Sequence, residues 1–246
     1  MGDMSRGSSH SLRDLKLKVK NVVEETGGYK VFEKSEYFYI TDGDEELDYD
    51  STKILKNTHW GQLKLFMSEL FVFLYHLDLE KTKDVLYIGA APGCHLYVLA
   101  QLFPDTYFHL YDKVGFDKRL NSLSNIKIYK KYFTDEDVKK WSAKKNFFLI
   151  SDIRTLDYNP AKCDLDSQKI NEDGVWKDMN LQKKWIEKLK PDLSLIKFRL
   201  PFAHDFELAK GRWRNYLDGE VVRQVYNKPT SSETRLLVKE VSYRDW

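Results

Sequence analysis

The sequence predicts an α/β fold: a mostly parallel sheet with helices on both faces, closed by a C-terminal antiparallel hairpin. Three observations predict it. Strand-like and helix-like segments alternate from Asp84 to Phe198. A glycine turn, Gly89 to Gly93, joins the first strand of that series to a helix. Two β-rich runs, Gly219–Tyr226 and Thr234–Val241, end the chain, joined by Asn-Lys-Pro-Thr-Ser-Ser. The 246 residues suit a single domain over 1–246, since α/β domains reach roughly 200–250 residues.

Taken in order, Met1 to Ser11 is rich in Gly, Ser and polar residues without an apolar core; it reads as a flexible arm, not a signal peptide. A charged helix follows over Leu12–Glu25, then an aromatic, β-branched run over Tyr29–Ile40 and an acidic stretch over Asp42–Asp50. Gly61–Leu79 carries Leu63, Phe66, Leu70, Phe73, Leu74 and Leu77 at helical spacing, interrupted by Lys64 and Glu69. Strands are expected at Asp84–Ile88, Thr106–Tyr111, Ile126–Tyr129, Asn146–Ser151 and Leu193–Phe198, with helices at Cys94–Phe103, Asp135–Lys144 and Glu172–Leu189.

Bulk properties narrow the classes. A net charge of +2 excludes a histone-like binder; nucleic-acid contact would need local patches such as Lys113–Arg119, Lys127–Lys131 or Lys210–Arg214. The two cysteines, Cys94 and Cys163, form no Cys-x-x-Cys pair, which fits a reducing compartment. No apolar run reaches about 18 residues, so no membrane span is expected.

The turn Gly89-Ala-Ala-Pro-Gly93 is Gly-x-x-Pro-Gly, not the dinucleotide pattern Gly-x-Gly-x-x-Gly. Its glycines let the backbone turn tightly and approach a ligand at the carboxyl end of a strand. Asp112 ends the next strand, where a carboxylate accepts from both ribose hydroxyls of an adenosine. S-adenosyl-L-methionine, which has no phosphate, suits this loop better than NAD. An ordinary βα turn with a Pro-Gly would look the same.

Four charged residues interrupt apolar elements: Lys64 on a helix, Asp152 and Lys197 at strand ends, and Glu233 opening the last strand. Each is costly unless paired. A snorkelling lysine or capping acid accounts for any one of them, less easily for all four, because strand ends of one sheet converge on one cleft.

Together, Gly61-Gln-Leu-Lys64, the loop Tyr87 to His95, Ile-Ser-Asp152-Ile-Arg, Lys197-Phe-Arg-Leu-Pro-Phe202 and Ser-Ser-Glu233-Thr-Arg-Leu-Leu237 resemble the poxvirus-type cap-specific mRNA (nucleoside-2′-O-)-methyltransferase, from about Tyr37 to Leu237. The resemblance implies a Rossmann-like S-adenosylmethionine-dependent methyltransferase with a Lys-Asp-Lys-Glu tetrad: Lys64, Asp152, Lys197 and Glu233. A partly desolvated lysine beside another cation can have a lowered pKa, and Lys197 would then orient the ribose 2′-hydroxyl or take its proton. Asp152 would hold Lys197 and contact the cofactor. The resemblance further implies cofactor contacts at Gln62, Tyr87, Gly89, Ala91, Pro92, Gly93, Asp112, Phe133 and Asp152, and cap or RNA contacts at Arg199, Ser231, Ser232 and Glu233. Tyr49 and Phe202 would sandwich the charged 7-methylguanine ring, adding cation–π attraction to stacking; core packing or loop anchoring is the plain alternative for each.

The chain departs from that pattern at His204, where the family has an acid, and at Thr230, where it has a tyrosine. It also ends at Trp246, before a segment that carries a further acidic cap contact. These departures bear on cap binding and leave the transfer chemistry intact. The implied partners are capped RNA and a second mRNA-processing subunit, a poly(A) polymerase. The implied location is the host cytoplasm or virion for a viral protein, the nucleus for a cellular one. Two other functions stay open: a 2′-O-methyltransferase of uncapped ribosomal or transfer RNA, and a non-catalytic RNA-binding subunit. His59, His76 and His109 show no metal spacing, Cys94 reads as a helix-start residue, and the six tryptophans read as core or surface packing before stacking platforms, with Trp60 and Trp213 the two candidates for the latter.

Overall fold

Strands covered on both faces are near-continuous apolar runs, and Phe147-Phe-Leu-Ile-Ser151 is buried at every position. It pairs in parallel with Asp84–Ile88, where only the first residue is partly exposed. These two strands form the middle of the sheet in a computed structural model. The structure describes residues 39–42, 58–155, 165–200, 213–225 and 231–246, with backbone alone at 58–60 and 165–171. All of them fall within one compact unit, Phe38–Trp246. The expected arm over Met1–Ser11 and helix over Leu12–Glu25 lie outside the described residues.

The strands are β1 (Tyr39–Ile40), β2 (Asp84–Ile88), β3 (Tyr107–Tyr111), β4 (Ile126–Tyr129), β5 (Phe147–Ser151), β6 (Leu193–Arg199), β7 (Tyr216–Leu217), β8 (Glu220–Val222), β9 (Glu233–Val238) and β10 (Tyr243–Arg244). The helices are α1 (Thr58–Tyr75), α2 (Leu96–Leu102), α3 (Asp135–Trp141) and α4 (Leu165–Leu189), with a short 3-10 helix at Lys118–Ser122. One eight-stranded sheet runs β1-β8-β9-β6-β5-β2-β3-β4. Strands β2 to β6 pair in parallel, while β9 runs antiparallel between β6 and β8, so the expected hairpin does close the sheet. The chain moves outward from β2 to β3 and β4, then returns to β5 on the other side of β2. The carboxyl ends of β2 and β5 therefore flank the switch point, where open α/β sheets bind ligands.

Several boundaries differ from the periodic pattern. Helix α1 starts before Gly61, where a side chain would meet nothing, and stops at Tyr75; beyond it the Asp78 side chain accepts from the backbone of Glu80 and Lys81. Helix α4 begins at Leu165, ahead of the expected Glu172, because its polar first turns carry no apolar stripe. The two-residue pair β7–β10 and the 3-10 helix carry no readable period. Trp213 is no stacking platform: it is buried, edge-on to Trp176 at 5.5 Å and to Phe198 at 6.0 Å. The Trp60 side chain lies outside what is described. Among the described residues, no helix is long and apolar enough to cross a membrane.

Gly219 sits where the chain turns from β7 into β8, and a Cβ there would lie 2.5 Å from the Leu237 carbonyl oxygen of β9. Gly219→Ala should lower unfolding free energy by about 2 kcal/mol. Gly115→Ala, where a Cβ meets nothing within 4 Å, should change it by less than about 0.5 kcal/mol. Urea denaturation of both variants checks the pair.

Candidate active site

The β6–β9 register sets the site. Lys197 stands opposite Arg235, and Arg199 opposite Glu233. Directly opposed residues share a sheet face, as do residues two apart on a strand, so all four side chains project to one side. Asp152 follows the last residue of β5 and is tied back to β2 by its backbone N–H, which donates to the Ile88 carbonyl at 3.0 Å. Lys64 reaches in from α1.

These groups form one charge cluster. Lys197 Nζ donates to Asp152 Oδ1 at 3.0 Å and lies 3.6 Å from Glu233 Oε2. Lys64 Nζ donates to Glu233 Oε1 at 2.5 Å. The side chains of Lys64, Asp152, Lys197 and Glu233 are each 19–20% exposed, which places them on the wall of a cleft. The structure thus brings together all four residues singled out by their charge. Burial pushes the Asp152 carboxyl up, but the Arg235 guanidinium and the Lys197 ammonium outweigh it and hold it well below the ordinary carboxylate range. Burial likewise opposes ionisation of Glu233, yet Lys197 and Lys64 bring its pKa down to about 2.

Sequence reasoning left out four neighbours. Arg235 is 1% exposed, pairs with Asp152 Oδ1 at 2.8 Å and donates to the Ser151 carbonyl at 3.0 Å. Arg154 donates to Glu233 Oε2 at 3.0 Å. Gln224, with its amide nitrogen turned to Glu233, donates to Oε1 at 3.2 Å and accepts from Arg235 Nε at 2.8 Å. Gln182 of α4 holds the Lys197 backbone at both ends, donating to its carbonyl at 2.9 Å and accepting from its N–H at 3.2 Å. A charged residue within the otherwise apolar β9 was the available signal for Arg235; the glutamines gave none. Beside the cluster opens a small cleft lined in part by Arg154, Val175, Met179, Lys197, Phe198 and Glu233.

The glycine loop lies next to the cluster. Gly89 (φ 80°) lets the backbone pass so close that a Cβ would sit 2.9 Å from the Asp152 carbonyl carbon and oxygen. Gly93 also has positive φ and packs against Ala90, Leu96 and Leu120. The Asp112 carboxylate accepts from Ala91 N–H at 3.1 Å and Val114 N–H at 3.0 Å; each oxygen keeps a lone pair for a ligand hydroxyl. Phe133 packs edge-on against Tyr111 and Trp185. Pro92 is exposed and Ala91 half-buried. Tyr87, expected among the cofactor residues, has a fully buried side chain that donates to Glu69 at 2.7 Å, so it supports the loop from beneath.

The expected cap residues are less fully placed. Arg199 pairs with Glu172 and lies over the Trp213 ring at 5.7 Å. Ser231 accepts from Glu233 N–H at 3.3 Å, and the Ser232 carbonyl accepts from Leu200 N–H at 2.9 Å. Tyr49, Phe202, His204 and Thr230 lie outside the described residues.

Five parallel strands, an antiparallel β9 slotted between β6 and β8, and a glycine loop at the switch point define a Rossmann-like methyltransferase. Comparison narrows this class: residues 31–244 match the family described as Poly A polymerase regulatory subunit. The chain is 30% identical to the cap-specific mRNA (nucleoside-2′-O-)-methyltransferase of Fowlpox virus (strain NVSL), over 95% of this chain and 71% of that protein. It is 32% identical to the enzyme of the same name from Myxoma virus (strain Lausanne), over 68% of this chain and 51% of that one. A solved structure titled human methyltransferase 10 domain containing protein covers 95% of this chain and 99% of its own at 12% identity and a TM-score of 0.45. The chain belongs to the poxvirus family of these methyltransferases.

The depressed Glu233 pKa fixes a pH dependence. Its ordinary value is 4.5 and its folded value about 2, so ionised Glu233 contributes its full stabilisation above about 4.5 and loses it as pH falls toward 2. The stability gap between wild type and Glu233→Gln should be widest near neutrality and narrow steadily below about pH 5. Thermal melts of both proteins from pH 7 to pH 3 measure it.

Proposed function

We propose that this chain transfers a methyl group from S-adenosyl-L-methionine to the 2′-hydroxyl of the nucleotide next to a 7-methylguanosine cap. The observation that carries the reading is the Lys197 ammonium held between two carboxylates, Asp152 and Glu233, beside the glycine loop. A ribose hydroxyl is a weak nucleophile that sheds its proton as it attacks. Lys197 orients that hydroxyl and, as the neutral amine, takes its proton, while Asp152 and Gln182 fix where Lys197 stands. Lys64 and Arg154 both bind Glu233, so its charge stays shared and its carboxylate stays fixed. Lys64, Arg154, Lys197 and Arg235 set four cations against the two carboxylates, a balance suited to the phosphodiester beside an acceptor ribose.

The residues present fit the methyl donor. Gly89 and Gly93 turn the loop tightly at positive φ, in places where a side chain would clash with the protein's own atoms, and Asp112 is pre-oriented for ribose hydroxyls. Gln62, the backbone from Gly89 to Gly93, Asp112, Phe133 and Asp152 would hold the donor, which supplies a methyl group made electrophilic by its sulfonium. Tyr49 and Phe202 would stack on the cap, with Arg199, Ser231 and Ser232 near the RNA. The family description favours a second role beside the first, as partner of a poly(A) polymerase. The poxvirus relatives favour action in the host cytoplasm.

Lys197→Ala should lower methyl transfer to short capped RNA at least about 10³-fold, while binding of S-adenosylhomocysteine and RNA persists. The wild type should methylate capped RNA far faster than the same RNA uncapped. Equal rates on both would sink the cap reading, and no transfer to any capped RNA would favour a purely binding subunit.

A further inference from the structure

Beneath the glycine loop lies a second polar set, which shares the field of Arg235 with the charge cluster. His95 leads into α2, and both of its ring nitrogens are engaged. Nδ1 lies 3.0 Å from Gln62 Oε1, and Nε2 lies 3.0 Å from Glu69 Oε2. The His95 and Glu69 side chains are only 3% and 2% exposed. The second Glu69 oxygen accepts the Tyr87 hydroxyl at 2.7 Å. A buried carboxylate, imidazole and phenol are costly unless each has a partner, and here each has one. The ring is thereby fixed on three sides: by its own backbone at the loop, by Glu69, and through Glu69 by β2.

Gln62 differs from the other members. It is only partly buried, and it sits in the first turns of α1, on the same helix face as Glu69, seven residues further along. Its carbonyl oxygen is turned to the imidazole, which leaves the amide NH₂ facing away from the ring. An isolated glutamine on a helix surface samples many rotamers and loses that freedom on binding a ligand. A glutamine already pinned by a rigid partner loses much less.

We propose that His95 is a positioning residue, held by Glu69, that pins the Gln62 amide so that its NH₂ is a preset hydrogen-bond donor to the methyl donor in the glycine loop. This rests on the reading of Gln62 as a methyl-donor contact. The effect belongs to donor affinity. Lys197, Asp152 and Glu233 bind none of these three residues in the contacts described above, so the loss on removing His95 falls on the donor KM more than on kcat.

A thermodynamic cycle tests it, with S-adenosylhomocysteine as the probe in titration calorimetry on the whole chain. His95→Ala should weaken binding about tenfold and Gln62→Ala by a similar factor. The double variant should bind no more weakly than Gln62→Ala alone, because His95 acts only through Gln62. Losses that multiply to about a hundredfold, or a His95→Ala protein that binds like wild type, would overturn the proposal. Should His95→Ala fail to fold, His95→Gln, which keeps a polar group opposite Glu69, takes its place in the same cycle. A wild-type chain that binds no S-adenosylhomocysteine would instead overturn the methyltransferase reading, and this proposal with it.

Discussion

An ammonium or guanidinium group withdrawn from water is unfavourable by several kcal/mol unless an opposite charge meets it. That constraint organises the carboxyl end of the sheet. Lys197 and Arg235 stand directly opposite each other across β6 and β9, a like-charge pair that would on its own destabilise the strands. Asp152 resolves it by taking both on one oxygen, Lys197 at 3.0 Å and Arg235 at 2.8 Å. Glu233 takes Lys64 on one oxygen and Arg154 on the other. A one-residue slip of β9 would turn Glu233 and Arg235 to the other face and strand the remaining charges, so the register of β9 and the chemistry of the site stand or fall together.

The same crowding joins the two halves of the site. At Gly89 the backbone of the glycine loop passes the backbone of Asp152 with no space for a Cβ. The segment suited to a methyl donor and the carboxylate that holds Lys197 are therefore neighbours. Nothing larger than glycine fits between them. Asp112, Gln62 and the His95 set flank the loop on its other sides.

Much of this was legible in the sequence, for physical reasons. Strands β2 and β5 are buried on both faces and so read as near-continuous apolar runs, and β6 departs from one only at Ser194, Lys197 and Arg199; the observed limits of all three lie within one residue of the apolar pattern. Lys64, Asp152, Lys197 and Glu233 stood out because charge breaks those patterns. Arg235 broke the pattern too, but its partner comes from β5, far back in the chain, and only the strand pairing shows that the two meet. Glu69 looked like a mere interruption of α1 because its partners, His95 and Tyr87, come from the loop and from β2. Trp213 could not be told from a stacking platform, since composition does not reveal which way a ring faces. The pair β7–β10 is too short to have a period at all.

The central claim is that this cluster directs a methyl group onto a ribose hydroxyl beside the cap. The most direct measurement supplies isotopically labelled S-adenosyl-L-methionine and a short RNA bearing a 7-methylguanosine cap, then digests the product to nucleosides and to the cap dinucleotide. The account predicts label on the 2′-oxygen of the first transcribed nucleotide, recovered in the cap dinucleotide. Label on a base, or spread over internal riboses, would contradict it.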